Sequence, residues 1–489
     1  MQNKQTLFDH VYRDLREQIL TGRLQYGDKL PSISRMCELY NVGIRTVRDV
    51  LRALKEEGYI STQERRPTTV QYQLPVTEGI DAAMQSVLVR RTSIIDVYRT
   101  MSIIMPPVFA LSAQVFGDAS FVQWSRDLAR LKGKDPAVCW QAYSSLLYTL
   151  LDRSHNLLFR DMFASLEIYA RTPYFQKHPR HAQWVAAHST FHSAMQTMES
   201  LPTKDGALIT TRFQSMFQAL TIAVEKWIDE ALATCKTPPQ EDPNSGYTWT
   251  SERGRDHYYT QITRDLIDKI GMGIYREGEF LPSEAALAKQ YGVCISTVRK
   301  AMAMLGELGF GQTFNAKGTQ VLLQKDDEVL QCMKNKTYRR DTLLYLSGLQ
   351  FMAIAIKPAA MLALPHLDRQ VVLDLQKQCR SQNAIPLEKI FFCITDHLPL
   401  APFRTILLEV NKLLHWGYYF SFYSEGPASS NLLFQISFAA LDALRQGDAN
   451  GFITHLSSCY GHILTFVRDF VATRGLPEAA DIISPQELH

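Results

Sequence analysis

The strongest constraint in this chain is a segment stated twice, at a fixed offset of 251 residues from Leu30 to Leu281. Leu30-Pro31-Ser32 recurs as Leu281-Pro282-Ser283, and Thr46-Val47-Arg48 as Thr297-Val298-Arg299. Gly58 recurs as Gly309, and Thr68-Thr69-Val70 as Thr319-Gln320-Val321, with no gap between these matches. The period is far longer than a solenoid repeat, so the pattern marks a duplicated unit and divides the chain into modules.

Each copy opens on an amphipathic helix. Val11, Leu15 and Ile19 lie at i, i+4 and i+8, and Tyr259, Ile262, Leu266 and Ile270 lay the same stripe in the second copy. A turn follows, Tyr26-Gly27-Asp28 or Glu277-Gly278-Glu279, and then a second helix for which Ser32 and Ser283 are N-caps. Asn41-Val42-Gly43 or Gly292-Val293-Cys294 leads into a third helix, predicted over 44–57 and 295–308. Two helices joined by a turn of ~3–4 residues, often with glycine, make a helix-turn-helix. Gly58 and Gly309 close the third helix as C′ residues. Two β-rich runs come next, 59–62 and 68–70 in the first copy, around the basic tip Glu64-Arg65-Arg66-Pro67. That hairpin is a wing, and the second wing carries Asn315-Ala316-Lys317-Gly318.

On the third helix Val47, Val50, Leu51 and Leu54 face inward, which leaves Arg45, Thr46, Arg48 and Arg52 for a major groove. Ser296, Thr297, Arg299 and Lys300 hold the corresponding face of the second copy. Arginine reads guanine edges or holds phosphate, and serine and threonine do either more weakly. With Ser32, Arg35, Arg65 and Arg66 in the first copy, and Ser283, Lys317 and Gly318 in the second, these are the expected DNA-binding residues. The competing readings are a solvated face for each arginine and a protein-contact role for each module. The retained Arg48 and Arg299 and the basic wing tips argue against the latter. The net charge of +3 is too small to decide the matter, so a basic face must be local.

Both copies resemble the winged helix-turn-helix of the GntR family of bacterial transcription regulators. That pattern runs Leu-Pro-Ser-Glu, a Leu-Gly-Val turn, Thr-Val-Arg, a helix-closing glycine and a wing with Gly-Thr. The second copy follows it through Leu281, Pro282, Ser283, Glu284, Leu287, Ala288, Gly292, Val293, Thr297, Val298, Arg299, Gly309, Gly318 and Thr319. The first follows it less well. The arginine expected after Ser-Glu is Ser34 in one copy and Ala285 in the other. The Ser-Arg expected at the start of the third helix is Gly43-Ile44 and Cys294-Ile295, and the first wing glycine is Pro67. The resemblance implies specific binding to a double-stranded DNA operator, with a sequence altered by these departures.

The rest of the chain reads as helical. Leu146, Leu150 and Leu151, then Leu157 and Phe163, form stripes around a break at Ser154-His155-Asn156. Prolines at 358, 365, 386, 399 and 402 mark breaks or kinks in the last third. The expected division is a first module over 1–75, a helical domain over 80–235, a Pro-rich linker over 236–250, a second module over 251–324, a second helical domain over 325–475 and a frayed tail over 476–489. The fold class is mainly α: two winged helix-turn-helix modules alternating with two all-helical bundle domains. The duplication thus points to a single-chain pseudo-dimer, with dimerisation of the whole chain left open.

In the GntR family an all-helical ligand-binding domain is a common partner, and both helical blocks resemble it weakly. The resemblance implies a small-molecule effector whose identity the sequence does not give. It also places four metal-ligand positions in each block. The first offers Tyr143, Leu147, His188 and Met216, and the second offers Ser437 and Cys459 at the later two, which is too few ligands for a site. His188 and His192, at i and i+4, could share a metal with His178 or His181, but a satisfied or exposed histidine cluster is preferred and no metal or cofactor is expected. The run Trp416 to Tyr423 could line a pocket and more often forms core. The eight cysteines show no zinc spacing and read as reduced thiols of a cytoplasmic protein. No run approaching ~18 apolar residues is seen, so no membrane association is expected. No catalytic constellation stands out, and a second module occupies the space an aminotransferase-like domain would need, so no enzymatic activity is expected.

Overall fold

The computed structural model describes residues 7–20, 24, 26–40, 42–62, 67–72, 82–134, 136–170, 191–235, 238–242, 245–251, 258–271, 273–315, 317–322, 333–381, 385–414 and 426–488. The first copy folds as α1 (Leu7–Leu20), α2 (Ile33–Tyr40), α3 (Ile44–Glu56), β1 (Ile60–Ser61) and β2 (Thr69–Val70). Val11, Leu15 and Ile19 of α1 meet Val47, Val50, Leu51 and Leu54 of α3 in a small core that is distinct from the rest of the apolar interior. The strands are antiparallel, with Ile60 opposite Val70.

After α4 (Ala82–Leu88), the first helical region comprises α5 (Arg91–Val115), α6 (Asp118–Leu131), α7 (Pro136–Asp152), α8 (Phe159–Ala170), α9 (Phe191–Ser200) and α10 (Gly206–Thr234). The second module is α11 (Tyr258–Gly271), α12 (Glu284–Tyr291), α13 (Ile295–Glu307), β3 (Gly311–Phe314) and β4 (Gly318–Val321). The second helical region holds α14 (Lys336–Ala363), α15 (Arg369–Cys379), α16 (Pro386–Asp396), α17 (Ala401–Leu414), α18 (Gly426–Gln446) and α19 (Ala449–Ala472).

The repeat is also a repeat of hydrogen bonds. Gly27 N–H donates to Val70 O at 2.9 Å and Leu30 N–H to Thr68 O at 2.9 Å, while Gly278 donates to Val321 O at 3.0 Å and Leu281 to Thr319 O at 2.9 Å. A one-residue bridge on each side, Lys29 to Thr69 and Phe280 to Gln320, adds a third β-segment to each wing that the residue pattern did not announce. The duplication extends into the helical regions: Pro107 inside α5 and Pro358 inside α14 stand the same 251 residues apart. Pro358 therefore lies within a continuing helix, whereas Pro386 opens α16 at its first turn, where the missing N–H costs nothing.

α5 packs along α10 in the first helical region, and α14 and α18 pack along α19 in the second. The halves join where α5 meets α14 and α17. A buried polar clasp seals the junction: Asn156 Nδ2 donates to Ser347 O at 2.9 Å and to Gln350 Oε1 at 2.8 Å, and Leu157 N–H donates to Ser347 Oγ at 3.1 Å. The expectation of no stretch long and apolar enough for a membrane needs correction. Arg91–Val115 and Tyr338–His366 meet that measure by length and composition, but 67% and 78% of their apolar windows lie inside the protein, where they form its central core helices.

Two further expectations change. Residues 236–250 link the halves in sequence, yet the described part is a packed strap. Tyr247 and Trp249 are buried, Tyr247 N–H donates to Ser93 Oγ at 3.1 Å, and Trp249 Nε1 donates to Asp161 Oδ2 at 3.2 Å. Two buried aromatic rings outweigh the polar composition around them, because rings of this size dominate the apolar surface a short segment can bury. The tail is not frayed either: Leu476, Ala479 and Ile482 are fully buried, and Ile483 O accepts from Gln350 Nε2 at 2.7 Å.

The second module is mounted differently from the first. Its core is continuous with that of the helical regions. Arg264 on α11 meets Asp341 on α14 through two hydrogen bonds, Nε to Oδ2 at 2.7 Å and Nη2 to Oδ1 at 2.8 Å. One turn on, burial beside the carboxylate of Asp265 pushes Asp268 up to about 7, with Arg264 pulling the other way. The sign follows directly. Its folded pKa lies above the unfolded value of ~3.9, so its contribution to stability is fully present below pH ~4 and is lost as pH rises through about 7. Asp268→Asn is therefore expected to stabilise the protein at pH 8 by on the order of 2 kcal/mol, with little gain at pH 4. Urea unfolding at the two pH values checks this, and equal effects at both would contradict the assignment.

Candidate nucleic-acid interface

In each module the third helix is held by its buried stripe and presents its opposite face outward. α3 buries Val47, Val50, Leu51 and Leu54, and α13 buries Val298, Ala301, Met302, Met304 and Leu305. Arg45, Arg48 and Arg52 are exposed on α3, with Thr46 half-buried among them. On α13, Ser296, Arg299 and Lys300 are exposed and Thr297 is half-buried. The helix-turn-helix geometry thus brings the expected third-helix residues to one surface in each copy.

The second helix abuts this surface at its start. Ser283 caps α12, its side chain accepting from Ala286 N–H at 3.3 Å, and Gly292 ends the helix in the left-handed conformation at φ 62°. Ser32 precedes α2, and its carbonyl accepts from Met36 N–H at 2.8 Å. Arg35 lies on α2 with its side chain outside the described residues, as do Arg65 and Arg66 of the first wing tip. Lys317 and Gly318 are exposed at the second tip, where Gly318 takes φ 99°. Proline is locked near φ ~−65°, so the first wing, with Pro67 at this place, cannot repeat that turn.

Several functional details escaped the residue pattern. Arg299 Nε donates to Glu284 Oε2 at 2.7 Å, an exposed pair that reaches from the third helix to the first residue of the second. The first copy has Ile33 at the position of Glu284, so Arg48 has no carboxylate at this place. Arg52 pairs with Asp49 at 2.9 Å along α3, which offsets part of its charge. The Ser296 and Thr297 hydroxyls turn back onto the Cys294 thiol, at 3.1 and 3.0 Å, and these hydrogen bonds pull that thiol down to about 7. Ile44 and Ile295, the first residues of the third helices, are exposed. No local spacing signals the Arg299–Glu284 contact, since it depends on how two helices cross.

Of the positions the resemblance linked to a metal, Ser437 and Cys459 do come together, Oγ to Sγ at 3.5 Å in a buried contact. Tyr143, Leu147 and Met216 are buried in the apolar core. His178, His181, His188 and the side chain of His192 lie outside the described residues, as does the aromatic run from Trp416 to Tyr423. Among the described residues no group of three His, Cys, Asp or Glu is placed to hold a metal.

Helix, helix, turn, outward-facing third helix and two-stranded hairpin define each module as a winged helix-turn-helix. Residues 7–70 and 258–321 each match the family model described as bacterial regulatory proteins, gntR family. The chain thus carries the gntR-family module twice. It is 41% identical over 64 residues to the HTH-type transcriptional regulator TreR of Bacillus subtilis (strain 168), covering 13% of this chain and 27% of that protein. It is 36% identical over 72 residues to the probable fructoselysine utilization operon transcriptional repressor of Escherichia coli (strain K12), covering 15% of this chain and 30% of that one. The chain therefore spans under a third of the length of these curated relatives. A solved structure described as Streptococcus agalactiae GntR aligns with 43% of this chain and 99% of its own at 16% identity and a TM-score of 0.20.

Proposed function

We propose that this protein is a cytoplasmic transcription regulator, not an enzyme, that binds specific double-stranded DNA through both winged helices of one chain. The observation that carries the reading is the outward face of the third helix, where Arg48 and Arg299 stand at equivalent places in two diverged copies. Each third helix enters a major groove and each wing reaches the adjacent backbone. Because the copies differ, with Arg45 in one and Ser296 in the other, the operator is asymmetric rather than a palindrome. The naming of one relative as a repressor supports repression as the mode.

The units of function are each module with the helical domain after it, 1–235 and 251–475, and a small-molecule effector among the helices provides control. The shared core and the Arg264–Asp341 pair support this, since a ligand that shifts α14 would shift the second module with it. The test is a gel-shift titration of the full chain on DNA selected from a random pool. A specific complex should survive at ~0.15 M salt, and its affinity should fall log-linearly with salt as phosphate contacts release counterions. If no specific complex survives at that salt, the proposal fails.

A further inference from the structure

Both modules place an isoleucine at the first position of the third helix. Ile44 is 55% exposed and Ile295 43% exposed, although each helix has a fully used apolar stripe on its other side. Residues four positions apart share a helix face, whereas adjacent ones do not, so Ile44 stands with Arg48, and Ile295 with Arg299. A branched hydrocarbon in that setting keeps about half of its surface in water. The side chains beside it have diverged between the copies, from Arg45 to Ser296, yet the isoleucine is present in both.

A base edge in the major groove offers one apolar feature, the C5-methyl group of thymine, and apolar side chains recognise it by contact. We infer that Ile44 and Ile295 each read a thymine through its methyl group, so the two half-sites share a thymine at equivalent positions and differ beside it. The inference rests on the DNA-binding reading proposed above and adds a base to it.

Deoxyuridine lacks only that methyl, so the test is atomic. DNA is selected from a random duplex pool with the full-length protein, and each thymine of the selected site is replaced by deoxyuridine in turn. One replacement per half-site should weaken binding about fourfold, the factor expected for removing one buried methyl-sized group. In Ile44→Ala the loss should vanish at one half-site and persist at the other, and Ile295→Ala should show the converse. Both positions are exposed, and unchanged thermal melting would verify that each variant folds. If no deoxyuridine weakens binding, or if the losses are the same in both alanine variants, the inference is overturned while the DNA reading stands. If selection enriches no sequence at all, the DNA reading itself falls and the inference with it.

Discussion

Arg299→Ala is expected to weaken operator binding by about tenfold to a hundredfold, and Arg48→Ala by less. A well-placed arginine on a guanine edge is worth ~1–3 kcal/mol, which sets the range. The difference between the copies comes from their surroundings. Glu284 meets Arg299 Nε at 2.7 Å, so under the proposed binding mode that guanidinium would approach the groove with its orientation biased beforehand. The pair is worth little to stability, because Arg299 is 69% exposed. Its effect is on binding. Removing the arginine also strips Glu284 of its counter-charge and leaves a carboxylate facing phosphate. Arg48 has Ile33 at that place and carries neither the orientation nor the exposed-carboxylate penalty. Fluorescence anisotropy on one selected operator, with each single variant and with Glu284→Ala/Arg299→Ala, separates the contributions. The double variant should bind better than Arg299→Ala alone. Equal losses in the two single arginine variants would contradict the asymmetry.

What was legible in the residues was local. The three helices of each module, their stripes, the glycine turns and the wings follow from spacings of three, four and two, and Gly58 and Gly309 take the left-handed conformation their C′ positions require, at φ 79° and 77°. The outward face of the third helix followed from the inward one. The break at Ser154-His155-Asn156 also fell where α7 gives way to α8.

What was not legible depends on residues far apart in sequence. Nothing near Asn156 announces that its amide will bond Ser347 and Gln350 and so join the two halves. Composition averages over residues and makes the strap look like an open linker, whereas Tyr247 and Trp249 decide its fate individually. The tail has no pattern of its own that marks it as packed, because Leu476, Ala479 and Ile482 find their places only among the assembled helices. The exposed isoleucines had a signal of their own. A single exposed apolar residue is ordinary; the signal is that Ile44 and Ile295 stand at the same place in both copies, next to positions that have diverged.

Asp341→Ala is expected to cost about 3 kcal/mol of stability, the lower end for breaking a buried ion pair from one side. Asp341 is only 8% exposed, and both its oxygens are held by Arg264, so the variant takes from that guanidinium the carboxylate that holds it at the seam between α11 and α14. The lower end applies because Arg264 keeps partial access to water. The damage should also be localised. Amide hydrogens of α11 and α13 should exchange faster, because the pair joins the second module to the helical core, whereas those of α1 and α3 should not, because the first module closes a core of its own. Urea unfolding gives the energy and hydrogen exchange gives its location. Arg264→Met/Asp341→Leu supplies the control: replacing both partners with apolar groups should recover much of the loss, since the cost arises from a desolvated charge deprived of its two-bond carboxylate more than from a missing attraction. A loss in Asp341→Ala below ~0.5 kcal/mol, the scale of an exposed pair, would mean that water reaches the seam and that the second module is not anchored through it.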